Sequence, residues 1–247
     1  MTGTTPQGVQ GEREASRWVR DMFGRVAPRY DLLNHLLSFN LDKRWRTRTV
    51  NRIEAQLKRP NARVLDLCCG TGDMTFALRR RAGKSSARIL GADFSHAMLQ
   101  RAAVKSSSAP DNLSPSWIEA DALSLPFPSA HFDLVTSAFG FRNLADYNAG
   151  LNEIIRVLRP GGECGVLDFG EPKGLMGAVY RIYFKQVLPR VGTMISGVRG
   201  PYAYLPASVE RFPPPEEMLA RMKRAGFAEA NWTPYTFGIA GLYHGRK

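Results

Sequence analysis

Val64-Leu65-Asp66-Leu67-Cys68-Cys69-Gly70-Thr71-Gly72-Asp73 is an apolar run that closes on two glycines. A short apolar run bounded in this way reads as a central strand of a parallel sheet. Gly70 and Gly72 let the backbone bend tightly and lie close to a ligand. A helix opening at Asp73 would carry Phe76, Ala77 and Leu78 and leave free N–H groups at its start. More than one class of nucleoside cofactor uses such a turn. A dinucleotide site asks for Gly-x-Gly-x-x-Gly. Gly70 and Gly72 fit its first two positions, but Thr75 stands where the last glycine belongs.

On either side of this stretch, strands and helices alternate. Strands are expected at Arg63 to Leu67, Ala87 to Asp93, Ser116 to Glu119, Phe132 to Ser137 and Glu163 to Phe169. Ser95 is expected to cap a helix ending near Lys105, and a further helix spans Asp146 to Leu158. Arg159-Pro160-Gly161-Gly162 stops that helix and turns the chain into the next strand. Such alternation implies an α/β fold, a mostly parallel sheet covered on both faces, here across residues 61–172.

Residues 1–11 are polar and read as a disordered start. Residues 12–60 are helical in pattern and read as a lid, with breaks near Pro28 and Asn40. Pro28 is expected to start a helix through Leu37, and Asp42 to cap one that carries Trp45, Val50, Ile53 and Leu57. Residues 173–247 read as a cap with two last strands. Leu175 to Val198 is aromatic and apolar but carries Arg181, Lys185 and Arg190, so it reads as cap helices rather than a membrane span. Glu216 to Ala225 forms a helix closed by Gly226; Ala228 to Tyr235 and Ile239 to Gly245 form a hairpin-like edge.

The 247-residue chain can bury one sizeable core. Its start has no signal-peptide core. Its three cysteines form neither a disulfide framework nor a zinc spacing, so a reducing cytoplasm is expected and no metal site. The formal net charge is +12, and it is unevenly placed. Residues 1–60 carry +6, residues 61–172 carry −1 and residues 173–247 carry +7. Basic flanks around a neutral core suit an anionic partner, a membrane surface or a nucleic acid.

Asp66 precedes the glycine turn, and Asp93 ends the second strand, where a carboxylate can accept ribose hydroxyls. Asp121-Ala122 follows the third strand, Phe132-Asp133-Leu134-Val135 opens the fourth, and a helix ends in Arg156-Val157-Leu158-Arg159-Pro160-Gly161-Gly162. Together these features resemble the class I S-adenosylmethionine (SAM) methyltransferases. The resemblance implies a Rossmann-like fold with a seven-stranded sheet, an N-terminal helical lid and a C-terminal helical insertion. It implies SAM as cofactor, held by Asp66, Gly70, Thr71, Gly72, Asp93, Asp121 and Ala122. Cys68 stands where that pattern has its first glycine.

Phe23 to Asn34, the run Ala138-Phe139-Gly140-Phe141-Arg142-Asn143, Val187 to Gly192, Tyr204-Leu205 with Ser208-Val209, and Gly238 to Gly241 narrow the resemblance. They are similar to motifs of the quinone-biosynthesis C-methyltransferases of the menaquinone and ubiquinone pathways. The sequence departs at Leu33, Asn40 and Gly170, where methionine, glycine and serine are usual, and at Ala138, where some members have serine. The resemblance implies a polyprenyl quinol substrate, a demethylmenaquinol before a benzoquinol, methylated on a ring carbon. Arg142 would stabilise the oxyanion or orient a water, and Tyr30 would hold a ring hydroxyl. Arg142 in a salt bridge and Tyr30 as lid packing are the competing roles. The substrate's tail implies a peripheral protein at the inner face of the membrane, weakly bound to an anionic surface around Tyr180 to Arg190. A homo-oligomer stays open.

An RNA methyltransferase is the rival that charge brings up. The segment after the fourth strand lacks the Asn/Asp-Pro-Pro-aromatic motif, and no RNA-binding module is visible, so no nucleic-acid partner is expected. The histidines carry no expected role; His35 reads as a surface residue four positions after Asp31.

Overall fold

The computed structural model describes residues 8–27, 30–107, 115–172 and 201–247, with scattered positions among 3–6 and 174–190. For residues 32–34, 37 and 201–203 it describes the backbone only. Most of Leu175 to Val198, with its expected cap helices, and Pro28 lie outside the described residues.

Seven strands form one sheet in the order β3-β2-β1-β4-β5-β7-β6. They are β1 (Arg63–Leu67), β2 (Arg88–Asp93), β3 (Ser116–Glu119), β4 (Phe132–Ala138), β5 (Leu158–Phe169), β6 (Glu229–Tyr235) and β7 (Ala240–Arg246). β1 to β5 pair in parallel, and β7 runs antiparallel to both β5 and β6. The last two strands do form a hairpin, but β7 sits inside the sheet and only β6 is its edge. β5 starts five residues earlier than expected. Leu158 already pairs with Phe132, and the register then shifts, so the Pro160-Gly161-Gly162 turn is an irregularity within the strand. Gly161 supplies the positive φ of 73° that this irregularity needs.

Both sheet faces are buried, which is why the strands read as continuous apolar runs. Val64 and Leu134 pack on one face with Leu78 of α5 (Asp73–Ala82). Leu65 and Val135 pack on the other with Leu151 and Ile154 of α7 (Tyr147–Val157). α6 (His96–Ser106) lies beside β2 and β3, and α9 (Pro215–Ala225) beside β6. Gly226 ends α9 with φ 108°.

The residues read as a lid fall into two parts. α1 (Glu12–Val26) and α2 (Tyr30–Leu37) lie at the strand ends, while α3 (Leu41–Arg52) and α4 (Glu54–Leu57) join the sheet core through Val50, Ile53 and Leu57. Thr4, in the stretch expected to be disordered, is buried. Its N–H donates to the Leu144 carbonyl, and its hydroxyl meets Tyr204 of α8 (Pro201–Arg211) at 3.0 Å.

The caps follow the sequence unevenly. Asp146 caps α7 by accepting from the N–H groups of Asn148 and Ala149. Asp42 does not cap α3. Asn40 precedes that helix in the left-handed conformation at φ 58°, and Asp42 lies inside it with its carboxylate turned to other partners. Ser95 occupies the N-cap of α6, but its side chain makes no capping bond. Its N–H instead donates to the Asp93 carboxylate at 2.9 Å.

Candidate active site

The strand order reverses between β1 and β4, and the β1 turn opens at that point. Cys68, Gly70 and Gly72 all have positive φ, at 54°, 55° and 87°. This conformation suits glycine, so Cys68 holds a strained version of the same turn. The two glycines differ in role. Gly70 lines a cavity, and a Cβ there would meet only Tyr30, at 3.9 Å. Gly72 does not line the cavity; a Cβ there would lie 2.6 Å from the Trp117 ring and 3.0 Å from Phe76. Close internal packing, rather than approach to a ligand, explains Gly72.

That cavity takes its walls largely from the C-terminal ends of the first strands. Asp93 presents one carboxylate oxygen to the N–H of Gly70 at 2.8 Å and the other to the N–H of Ser95. Burial pushes its pKa up to about 6 against these two hydrogen bonds. Asp121 is exposed beside it and receives the Leu123 N–H; Ala122 is buried in the same wall. Asp66 also lines the cavity, but its two oxygens accept from the hydroxyls of Thr75 and Thr136, the latter at 2.8 Å. Burial raises it too, to about 6. Thr71 uses its hydroxyl to reach the lid: it donates to Asp31 of α2 and accepts from Lys105 of α6 at 3.0 Å.

A second cavity adjoins the first and shares lining residues with it. Trp45, Phe139, Phe169, Tyr180 and Tyr183 give it an aromatic wall. Tyr30, Arg46 and Phe139 line both cavities. Phe139, at the end of β4, holds φ 60°, a costly conformation for a bulky residue. Its ring lies 4.8 Å from that of Phe169 and 6.0 Å from that of Trp45. The strained residue is thus part of the wall between the cavities.

The two residues singled out for catalysis both reach this region. Tyr30 is half-buried at the boundary and stands edge-on to Phe23 at 5.9 Å. Arg142 lines the aromatic cavity. It pairs with Asp168 at 3.0 Å, donates to the Phe139 carbonyl and lies over the Phe169 ring. The salt bridge is present, and Arg142 still lines the cavity while its buried Nε has no hydrogen-bond partner.

His35 is not a plain surface residue. Its partner is Asp42, at 2.8 Å, rather than Asp31. Asp42 also accepts from Ser38 at 2.6 Å and from Arg46. Burial raises the Asp42 pKa, but these donors outweigh it and hold the carboxyl below its ordinary value. Arg46 escaped the sequence reading altogether. The signal was there in the Asp42–Arg46 spacing, an i,i+4 ion pair beside Trp45 on α3. Cys69 and Cys164 are buried and Cys68 is half-buried; desolvation and the nearby Asp93 push the thiols of Cys68 and Cys69 well above their ordinary pKa, which disfavours the reactive thiolate.

A parallel sheet with one antiparallel strand and an acid-rich cavity at the β1 turn defines a class I SAM-dependent methyltransferase. The residues fit this cofactor: carboxylates for its cationic groups and its ribose, and a turn that keeps the backbone near the ligand. The profile of the ubiE/COQ5 methyltransferase family matches residues 9–247, and the chain belongs to that family. It is 50% identical to the demethylmenaquinone methyltransferase of Thermus thermophilus, over 92% of this chain and all of that protein. It is 45% identical to the demethylmenaquinone methyltransferase of Deinococcus radiodurans, over the full length of both. A ubiquinone/menaquinone biosynthesis C-methyltransferase of Geobacter sulfurreducens is 42% identical, over 96% of this chain and 90% of that protein. Among solved structures, the [4+2]-cyclase SpnF superposes with a TM-score of 0.68 at 17% identity, covering 97% of both chains. A SAM-dependent methyltransferase of Thermotoga maritima gives 0.63 at 17% identity, covering 92% of this chain and 98% of that one. These two likenesses concern the fold alone.

Proposed function

We propose that the protein transfers a methyl group from SAM to a ring carbon of a demethylmenaquinol, a reduced polyprenyl naphthoquinone. One observation carries this reading: an acidic cavity and an aromatic cavity meet at Tyr30, Arg46 and Phe139. Two relatives that match nearly the whole chain bear the name demethylmenaquinone methyltransferase. A benzoquinol is the second substrate to weigh, since other relatives are named for both pathways.

When bound, the cofactor supplies an electrophilic methyl group. The carboxylates of Asp93 and Asp121 and the backbone at Gly70 hold it in the first cavity. The aromatic wall receives the flat quinol ring and presents it to the shared boundary, where alignment supplies much of the rate. Ring attack is strengthened as the neighbouring hydroxyl loses its proton to a water molecule. Arg142 cannot accept that proton, because a guanidinium stays charged. Its role is to stabilise the oxyanion as it develops, from a low-dielectric site. Tyr30 orients the ring at the boundary.

The tail of such a substrate resides in a bilayer. No described helix is long and apolar enough to cross a membrane. We therefore read the basic flanks as a surface that meets anionic lipid, where each cation contributes about 1 kcal/mol at most. Turnover with SAM and a short-tailed demethylmenaquinol, beside the benzoquinol analogue, tests the substrate. The naphthoquinol should react faster, only when reduced, and carry the new methyl on carbon. Equal rates with oxidised and reduced substrate, or a methyl on oxygen, would refute the mechanism.

A further inference from the structure

We propose that Arg46 anchors the carboxylate of the cofactor's methionine arm, so that a residue of α3 joins the cofactor site. SAM carries three charges: a sulfonium, an ammonium and one carboxylate. Among the described residues, the wall of the first cavity contains four acids, Asp66, Asp73, Asp93 and Asp121, and one cation, Arg46. The acids suit the two positive centres and the ribose. Arg46 is the one cationic partner that the described wall offers to the carboxylate.

The geometry around Arg46 supports the assignment. The residue is 8% exposed. Its Nη1 donates to Asp42, its Nη2 lies 3.5 Å from Asp73, and its Nε has no partner. A buried guanidinium N–H left unpaired is costly, and an anion in the adjoining cavity relieves that cost. Asp73 is the first residue of α5. Arg46 thus stands by a helix N-terminus, whose free N–H groups also favour an anion. The Asp73–Arg46 pair presents one negative and one positive group, the pattern that a zwitterionic amino-acid head requires.

Arg46 also lines the aromatic cavity, with its guanidinium 5.4 Å from the centre of the Phe139 ring. Holding the cofactor therefore fixes part of the second cavity's wall. Asp42, bonded to both Arg46 and His35, is the positioning residue that keeps the guanidinium in place.

The role of Arg46 rests on SAM being the cofactor and needs no quinol. Calorimetric affinities for SAM and for decarboxylated SAM, which lacks only the carboxylate, test it. The wild-type protein should bind SAM at least about 10-fold more tightly than the decarboxylated compound. Arg46→Met should lower SAM affinity by about 10–100-fold, leave the decarboxylated compound within about threefold, and erase the preference. Arg46→Lys keeps the charge and should retain part of the preference. If Arg46→Met does not fold, Arg46→Lys decides, with a preference several-fold below wild type expected and an unchanged preference excluding the anchor. An absence of wild-type preference, or an equal loss of both compounds in the folded Arg46→Met protein, would also overturn the assignment. Turnover with quinols enters none of these readings, so failure here is separable from failure of the proposed substrate.

Discussion

The two adjoining cavities are built in different ways. The acidic one is made mostly of turns at the ends of consecutive strands, where Asp66, Gly70, Asp93, Asp121 and Ala138 follow one another along the chain. The aromatic one gathers Trp45, Phe139, Phe169 and Ile239 from distant elements, with Tyr180 and Tyr183. Hydrogen bonds from backbone N–H groups to side-chain carboxylates help fix the first, as where the Asp93 carboxylate accepts from Gly70 and Ser95. Ring packing and buried ion pairs shape the second, as where Arg142 bridges Asp168 and Phe169. On the proposed assignment, a cofactor common to many enzymes would meet a site built mostly from strand-end turns, and a particular substrate would meet a site assembled by tertiary packing.

The comparison breaks most sharply at the β1 turn. Gly72→Val puts a β-branched residue at φ 87° and drives its Cβ into Trp117. The strain and overpacking together should cost about 3 kcal/mol or more. Thermal unfolding checks it; a variant as stable as wild type would mean that Trp117 moves aside freely. On the aromatic side, Arg142→Lys keeps the charge but loses the planar fork. It should lower kcat by about 100-fold while SAM affinity stays within about twofold. An unchanged kcat would reduce Arg142 to its salt bridge with Asp168.

Asp93→Ala attacks the acidic side. It should weaken SAM binding by about 1–3 kcal/mol through lost hydrogen bonds. The same carboxylate predicts a pH dependence. Its pKa in the folded protein is about 6, against about 4 for an ordinary aspartate. SAM affinity should therefore decline as pH falls through 6, and Asp93→Ala should flatten that decline. Stability moves the other way. The folded state holds the proton more tightly, so the stabilisation that Asp66 and Asp93 contribute is full below about pH 4 and lost as pH rises through 6. Urea unfolding of the free protein between pH 4 and 7, with and without Asp93→Ala, measures it.

The smallest effect sharpens the turn itself. Cys68→Gly removes a left-handed non-glycine residue and should stabilise by up to about 1 kcal/mol. Loss of stability would show that the Cys68 side chain, packed against Gly140, outweighs the strain.

The same division explains what could be read from the sequence. β1, its turn and Asp93 were legible because period, glycines and a strand-end acid lie within short windows. Helix α7 was legible from Leu151, Ile154 and Ile155, and the structure adds Asp146 as its cap. Asp42 was misread because an aspartate near a helix start resembles a cap, although its i,i+4 spacing to Arg46 offered the other role; its bond to His35 crosses the break between two helices and has no such spacing. The early start of β5 was hidden because Pro160 and Gly161 ordinarily mark a turn. The aromatic wall was illegible because its members and their partners lie far apart in the chain, as Trp45 and Thr236 do; Arg46 was passed over although its partner Asp42 lies only four residues away.

A structure of the protein with S-adenosylhomocysteine and a non-reacting naphthoquinol analogue tests the two-cavity arrangement most directly. The expected result is adenosine beside Asp93 and Asp121, the naphthalene ring between Phe139 and Phe169, and the reacting carbon facing the sulfur past Tyr30. A ring bound outside the aromatic cavity, with the cofactor in place, would contradict it.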